Sequence, residues 1–244
     1  MLREVRGWTR GRESGDELDL EAVVDSVADR RSRGRQSLRL YRQREDRLRD
    51  LAVAVLLDAS RSTAARIGDQ RVIEIARQSM AVLAEALVAA GDDFALYGFA
   101  SDSRHRVRCH RLKGFEERYA GDALRRLHAL DPGDYTRMGA VVRHAGGMLQ
   151  ARAHARKLML VLTDGRPHDP IDRYEGRYAL EDTRRALQEI RARGVHCFGL
   201  TIDRRGRAWL PHLFGPGHYA VFSRPDALPS VLPRLYARIT GLGG

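Results

Sequence analysis

Leu51–Thr63 reads LAVAVLLDASRST, and the fold of the chain turns on it. Seven aliphatic residues, Leu51 to Leu57, run without alternation into Asp58, Ala59, Ser60, Arg61, Ser62 and Thr63. A short unbroken apolar run that ends in turn-forming polar residues predicts a strand buried on both faces, as in parallel sheets. In open α/β sheets the binding crevice lies just beyond the carboxyl ends of such strands. Asp58, Ser60 and Ser62, at alternate positions, are therefore expected at the mouth of a crevice. One carboxylate and two hydroxyls there outline an oxygen-rich cation site.

Outward from this stretch, strands and helices alternate. Asp69–Ala90 has helical periodicity through Val72, Ile75, Val82, Leu83 and Leu87, and Gly91 ends it. Phe94–Phe99 and Arg106–Leu112 read as strands joined by a hairpin at Ser101–Ser103. A short helix around Asp122–Leu130, the loop DPGDYTRMG and a helix from Gly139 to about Ala151 follow. Lys157–Leu162, KLMLVL, is a second fully apolar strand and runs straight into Thr163, Asp164 and Gly165. A helix over Ala179–Arg193, a strand over Val195–Ile202, an edge strand at Tyr219–Phe222 and a closing helix opened by Pro225 and Asp226 complete the pattern. This alternation predicts an α/β fold: a Rossmann-like, doubly wound, mostly parallel six-stranded sheet flanked by helices, with one antiparallel edge strand.

Ahead of the first buried strand the composition changes, so residues 1–49 are expected to be an arginine-rich extension and 50–244 the folded domain. Met1–Arg12 is polar, with Trp8 its only large apolar anchor. Gly15–Asp29 has amphipathic helical spacing through Leu18, Leu20, Val23, Val24 and Val27, and its acids gather at the front, where a helix N-terminus favours them. Arg30–Arg49 carries nine arginines and reads as a solvated extended linker.

The formal charge of +11 would ordinarily point to nucleic acid. Of the 43 basic residues, however, only Lys113 and Lys157 are lysine, the other 41 are arginine, and the chain has no asparagine. That bias resembles a GC-rich coding sequence as much as a selected basic surface, and Tyr41 alone is thin for base stacking in the arginine-rich stretch. Cys109 and Cys197 each sit in an apolar run with no second cysteine nearby, which excludes a cysteine zinc site and suits reduced thiols. There is no apolar run of membrane-spanning length and no signal-peptide pattern at Met1, so a cytoplasmic protein without a membrane span is expected.

The candidate site draws on three loops. Asp58, Ser60 and Ser62 follow the first buried strand, Thr136 lies ahead of a helix, and Asp164 follows KLMLVL. Two carboxylates and three hydroxyls are hard oxygen ligands suited to Mg²⁺ or Mn²⁺. Two carboxylates roughly neutralise such an ion, and weak hydroxyl donors leave it able to accept a further carboxylate from a partner. The alternative is that the hydroxyls merely cap helices. His168 and Asp169, next to Asp164, fit an acid–base pair or a contact to a partner, and Arg61 and Arg137 are further candidates for partner contact.

In order, Asp58-x-Ser60-x-Ser62, Thr136 and Asp164-Gly165 resemble the metal-ion-dependent adhesion site of von Willebrand factor A domains, over about Asp50–Thr240. DYTRMGAVVRHA at Asp134–Ala145, ALYGFAS at Ala95–Ser101, TDGRPHD at Thr163–Asp169, LPRLYARIT near the end and GDELDLEAVVD at the front resemble a narrower group. These are the bacterial A-domain proteins of the NorD and CbbO kind, encoded beside MoxR-type AAA+ ATPases. The resemblance implies a metal-dependent adaptor that links a MoxR-family ATPase to a client enzyme, which contributes an acidic residue to the metal. Nitric oxide reductase is the client in one branch and inhibited Rubisco in the other. Members of the group usually carry this domain at the C-terminus of a much longer chain.

Catalytic alternatives find little in the residues. Asp-x-Asp is lacking after the first strand, as are a Gly-x-Ser-x-Gly elbow and a phosphate-binding Gly-x₄-Gly-Lys loop. A binding protein, not an enzyme, is expected. The rival is another binding role on the same fold: a metal-chelatase-like or nucleic-acid-associated module acting through the basic N-terminal segment.

Overall fold

Leu51–Asp58 (β4) is the centre of a six-stranded sheet in the computed structural model, which describes residues 3–15, 17–20, 22–23, 26, 39–222 and 227–240. All eight residues of β4 are buried. Both faces of β4 are thus out of water, and burying one leucine side chain contributes roughly 1.5–3 kcal/mol.

The strands ahead of it are Arg3–Arg12 (β1), Glu17–Leu18 (β2) and Tyr41–Arg49 (β3). Two short strands follow, Arg66–Ile67 (β5) and Gln70–Arg71 (β6), then Asp93–Ser103 (β7), Arg106–Lys113 (β8), Arg156–Thr163 (β9), Val195–Thr201 (β10) and Tyr219–Val221 (β11). The helices are Val72–Ala90 (α1), Gly121–His128 (α2), Met138–Gln150 (α3), Gly176–Arg191 (α4), Leu210–Phe214 (α5) and Leu228–Thr240 (α6).

The large sheet has the order β11-β10-β9-β4-β7-β8. Every pairing is parallel except β7 with β8, a hairpin that makes β8 the antiparallel edge. This is the doubly wound sheet expected from the sequence. Side chains alternate between faces along a strand. Ala52, Ala54 and Leu56 join Val141, Val142 and Leu149 of α3, Leu187 and Ile190 of α4 and Phe214 of α5 in one core. On the other face Leu57 lines a small cavity together with Val72 and Ala76 of α1.

α1 begins at Val72 and not at Asp69, because Arg66–Arg71 folds into a small hairpin that turns through Gly68 at φ 61°. The Arg71 backbone N–H donates to Glu74 Oε2 at 2.9 Å, which satisfies one free donor of the first turn. Gly91, at φ 72°, ends the helix in the left-handed conformation that glycine adopts at least cost. α5, in WLPHLF, was not expected.

By internal contacts the chain divides into Asp50–Pro233 and a second unit that groups Met1–Arg49 with Arg234–Gly244. In the second unit β1, β3 and β2 form an antiparallel sheet, with Arg3 opposite Arg49 and Gly7 opposite Glu45. This corrects one expectation: Tyr41–Arg49 is no solvated linker, and Arg3–Arg12, read only as polar, is a strand. A ladder is made by backbone groups, which a charged sequence supplies as well as an apolar one. Leu20, Ala22, Val23 and Ser26 are helical, and Asp19 stands at the front, its carbonyl accepting from Val23 N–H at 2.9 Å. Leu18 is in a strand and Leu20 is exposed, so neither belongs to the expected apolar stripe. Val24, Val27, Arg31–Leu38, Pro225 and Asp226 lie outside the described residues.

Candidate metal centre

β4 and β9 are parallel neighbours with Leu57 opposite Leu162, so their carboxyl ends open side by side. Asp58 closes β4 and Asp164 follows β9. Between them, Ser60 stands at the front of a 3₁₀ segment, Arg61–Ala64, and Ser62 lies within it. Thr136 arrives on the loop ahead of α3, which is fixed by backbone bonds on both sides. Tyr135 exchanges two bonds with Ser101 at the end of β7 (2.6 and 2.7 Å), and Thr136 exchanges two with His168 (2.8 and 2.9 Å). Arg61 N–H to the Asp134 carbonyl (3.0 Å) ties the serine loop to the same segment.

All five expected residues meet at this point. Asp58 is buried; its Oδ1 accepts from Ser60 N–H at 2.9 Å, and Thr136 Oγ1 lies 3.3 and 3.4 Å from its two oxygens. Ser60 Oγ lies 3.1 Å from Ser62 Oγ, which donates to Asp164 Oδ1 at 2.7 Å. A sixth residue was missed by the sequence reading. Thr163, the last of β9, donates to Asp58 Oδ2 at 2.8 Å. Its place as the polar end of an apolar strand, directly before Asp164, was the available signal.

Burial pushes the Asp58 carboxyl above its ordinary value, against the pull of its bonds to Ser60, Thr163 and Thr136. Asp164 is pushed up to about 7, first by burial and then by the charge of Asp58. Two facing acids that both resist ionisation are a site short of positive charge. Oxygen donors on three loops, two of them carboxylates, fit a hard divalent cation. Among the described residues no group of three or more His, Cys, Asp or Glu could hold a metal, so a metal held here depends on the hydroxyls.

The three hydroxyl residues face a cleft of about 820 Å³. Ser60, Ser62 and Thr136 line it together with Arg61, Arg166 and His168. Arg61 lies over the Tyr135 ring at 5.8 Å and His168 packs edge-on against the same ring. Both are exposed, as a contact to a partner requires. Arg137 and Asp169 are not. Asp169 is 0% exposed and Arg137 8%, and they pair with each other through Arg137 Nε and Asp169 Oδ2 at 2.7 Å. Their expected role at a partner surface is therefore corrected: sequence proximity to Thr136 and Asp164 placed them at the site, but beneath its rim. Nor can the buried Asp169 carboxylate form an open acid–base pair with His168. Cys109 and Cys197 are free thiols that burial pushes up to about 11 and about 12, which favours the protonated form.

The von Willebrand factor type A domain profile matches residues 53–166, the span from β4 through the Asp164 loop. The chain carries a von Willebrand factor type A domain. Over 239 residues it is 45% identical to an uncharacterized protein of Pseudomonas aeruginosa, covering 98% of this chain and 39% of that one. It is 42% identical over 241 residues to Protein NorD of Brucella melitensis, covering 99% of this chain and 38% of that one. The chain thus spans about two fifths of the length of these curated relatives.

Solved structures share the type A fold at low identity. The PilB minor pilin from Streptococcus sanguinis superposes with a TM-score of 0.62 at 14% identity, covering 78% of this chain and 61% of that one. The vWF domain of the pili tip protein Mfa5 from Porphyromonas gingivalis gives 0.57 at 11%, covering 79% and 95%. Proximal thread matrix protein 1 from the mussel byssus, with a zinc-occupied MIDAS motif, gives 0.56 at 16%, covering 78% and 45%.

Proposed function

We propose that this type A domain is a metal-dependent adaptor of the NorD kind, which binds Mg²⁺ or Mn²⁺ and links a MoxR-type AAA+ ATPase to a client enzyme. The observation that carries the reading is the convergence of Asp58, Ser60, Ser62, Thr136 and Asp164 in one hydrogen-bonded cluster of oxygens, of which Ser60, Ser62 and Thr136 line an open cleft. The relatives named NorD support the choice of system. Nitric oxide reductase is the client by that likeness, and Rubisco by the likeness to the CbbO branch.

A divalent cation here would supply an electrophilic point able to take a carboxylate from the client. The chain's own residues prepare that contact. Asp58 and Thr163 anchor the floor through their 2.8 Å bond, and Ser62 holds Asp164 in place. Arg61 and Arg166 bring positive charge to the rim, where it steers an acidic segment inward. The role assigned here is binding rather than catalysis: Ser62, Thr136 and Thr163 donate to the two carboxylates and hold them in place for a cation. The domain acts in the cytoplasm on this reading; no described helix is long and apolar enough to cross a membrane.

Co-purification of wild type and Asp58→Ala with a MoxR-type ATPase and the two candidate clients, with and without Mg²⁺, tests the proposal. Both forms should retain the ATPase, and only wild type with Mg²⁺ should retain a client. Client capture by Asp58→Ala equal to wild type would overturn it. Capture of nucleic acid by both forms, regardless of metal, would favour a role for the basic N-terminal segment instead.

A further inference from the structure

We infer that Arg137 and Asp169 are positioning residues of the metal centre. Their buried ion pair clasps the loop that carries Thr136 to the segment that follows Asp164, and so holds the Thr136 hydroxyl against Asp58. The inference rests on the reading of Asp58, Ser60, Ser62, Thr136 and Asp164 as a cation site.

Arg137 directly follows Thr136 and is the residue at which the chain turns into α3. Its guanidinium makes three contacts, with its side chain only 9% exposed. Nε donates to Asp169 Oδ2 at 2.7 Å, Nη2 donates to Asp172 Oδ2 at 2.8 Å, and the group lies over the Tyr174 ring at 4.6 Å. One fork thus spans two carboxylates, a geometry that a lysine ammonium cannot reproduce.

Asp169 is also committed beyond Arg137. Its Oδ2 accepts from Ser101 Oγ of β7 at 3.3 Å, and its Oδ1 accepts from Ile171 N–H at 3.2 Å, which caps the 3₁₀ turn Pro170–Asp172. Asp172 accepts in addition from the Arg104 backbone N–H in the β7–β8 hairpin. Three segments that are distant in sequence are therefore joined through the carboxylates of Asp169 and Asp172: the Thr136 loop by Arg137, the segment after Asp164, and the end of β7 with its hairpin by Ser101 and Arg104. Two of them flank the cation site: Thr136 precedes Arg137, and the Asp164 loop leads into His168 and Asp169.

The clasp bears on a Thr136 hydroxyl whose own hold on Asp58 is weak. That hydroxyl reaches Asp58 only at 3.3 and 3.4 Å, near the outer limit of a hydrogen bond, so a small shift of the loop removes it. The backbone bonds to His168 fix Thr136 to the Asp164 segment, and Arg137–Asp169 is the side-chain counterpart of that bridge one residue further on. Groups that orient metal ligands without touching the metal typically change affinity 10–100-fold when altered.

The test is titration of Mn²⁺ into the whole chain, read by loss of the free-ion electron paramagnetic resonance signal, beside thermal melts of the metal-free forms. Arg137→Lys keeps the charge but cannot span Asp169 and Asp172; it should bind Mn²⁺ about 10-fold more weakly or worse. Leu149→Ala, a core change on the same helix, should lower the melting temperature yet leave Mn²⁺ affinity at the wild-type value. Wild-type affinity in Arg137→Lys, or an equal loss in Leu149→Ala, overturns the inference. Should Arg137→Lys not fold, Asp172→Ala removes only the outer arm of the fork, and unchanged affinity there overturns it as well. A wild type that binds no Mn²⁺ removes the cation-site reading itself, and this inference with it.

Discussion

Ser62 Oγ donates to Asp164 Oδ1 at 2.7 Å across 102 positions of sequence. The bond joins the loop after β4 to the loop after β9, and Ser60 Oγ extends it at 3.1 Å. It lowers the proton affinity of Asp164, but burial and the facing Asp58 raise it more. The donor set is thus held together by its own hydrogen bonds while its charge stays uncompensated. That combination is a preorganised receptor for a cation, since the oxygens are gathered before the cation arrives.

Thr163→Val tests the frame beneath those ligands. Valine keeps the shape of threonine but cannot donate to Asp58 Oδ2, whose oxygen is buried and has few other donors. The chain should lose about 1–3 kcal/mol of stability, the cost of removing one partner from a buried charged group. Asp58, stripped of a bond that lowers its proton affinity, should ionise less readily and hold Mg²⁺ more weakly. Urea unfolding with and without Mg²⁺ measures both, and an unchanged midpoint in either condition would take Thr163 out of the site.

Gly133→Ala tests how tightly the threonine loop is seated. A Cβ on Gly133 would lie 2.8 Å from Ala100 Cβ and 3.5 Å from the Ala59 carbonyl oxygen, and neither can rotate away. The Gly133 N–H donates to that same carbonyl, so the loop must lift from the residue next to Ser60. A cost of about 1–3 kcal/mol is expected from the overpacking. Because Thr136 lies three residues further on, Mn²⁺ affinity should fall too. Thermal melts and the Mn²⁺ titration read the two effects, and a fall in stability with full affinity would mean that Thr136 is positioned independently of Gly133.

The sheet and the five oxygen residues were legible because both signals are local. β4 and β9 are apolar runs that end in polar residues, and the ligands lie at those ends or just ahead of a helix. Contacts that depend on meeting across the fold were not legible. Arg137 and Asp169 are charged and close to the ligands, so they read as surface contacts; only the folded chain shows each neutralising the other in a buried place. β1 and β3 were missed for a different reason. Arginine-rich segments carry no apolar alternation, while the ladder between them is made by the backbone. α5 was missed because a five-residue helix is too short to display a period.

Removing the charge of Asp164 should stabilise the cation-free chain, and most at high pH. The Asp164 carboxyl is pushed up to about 7 from an ordinary value of 3.8. The unfolded chain gives up this proton near pH 4, whereas the folded chain keeps it to about 7. Between those values the folded state binds more protons than the unfolded one, so stability falls as pH rises through the window and levels off above it. Asp58, also raised by burial, acts in the same direction. Asp164→Asn deletes the titration. It should exceed wild type by on the order of 1–2 kcal/mol at about pH 8, and show a smaller gain at about pH 5. Saturating Mg²⁺ should reverse the order at the higher pH, because it favours the ionised wild-type site and has lost one of its two carboxylates in the variant. Melts of both forms at the two pH values, with Mg²⁺ or with a chelator, decide the matter. A cation-free wild type whose stability does not fall relative to Asp164→Asn as pH rises would mean that the two acids do not oppose each other's ionisation, and that the site has no charge deficit for a metal to relieve.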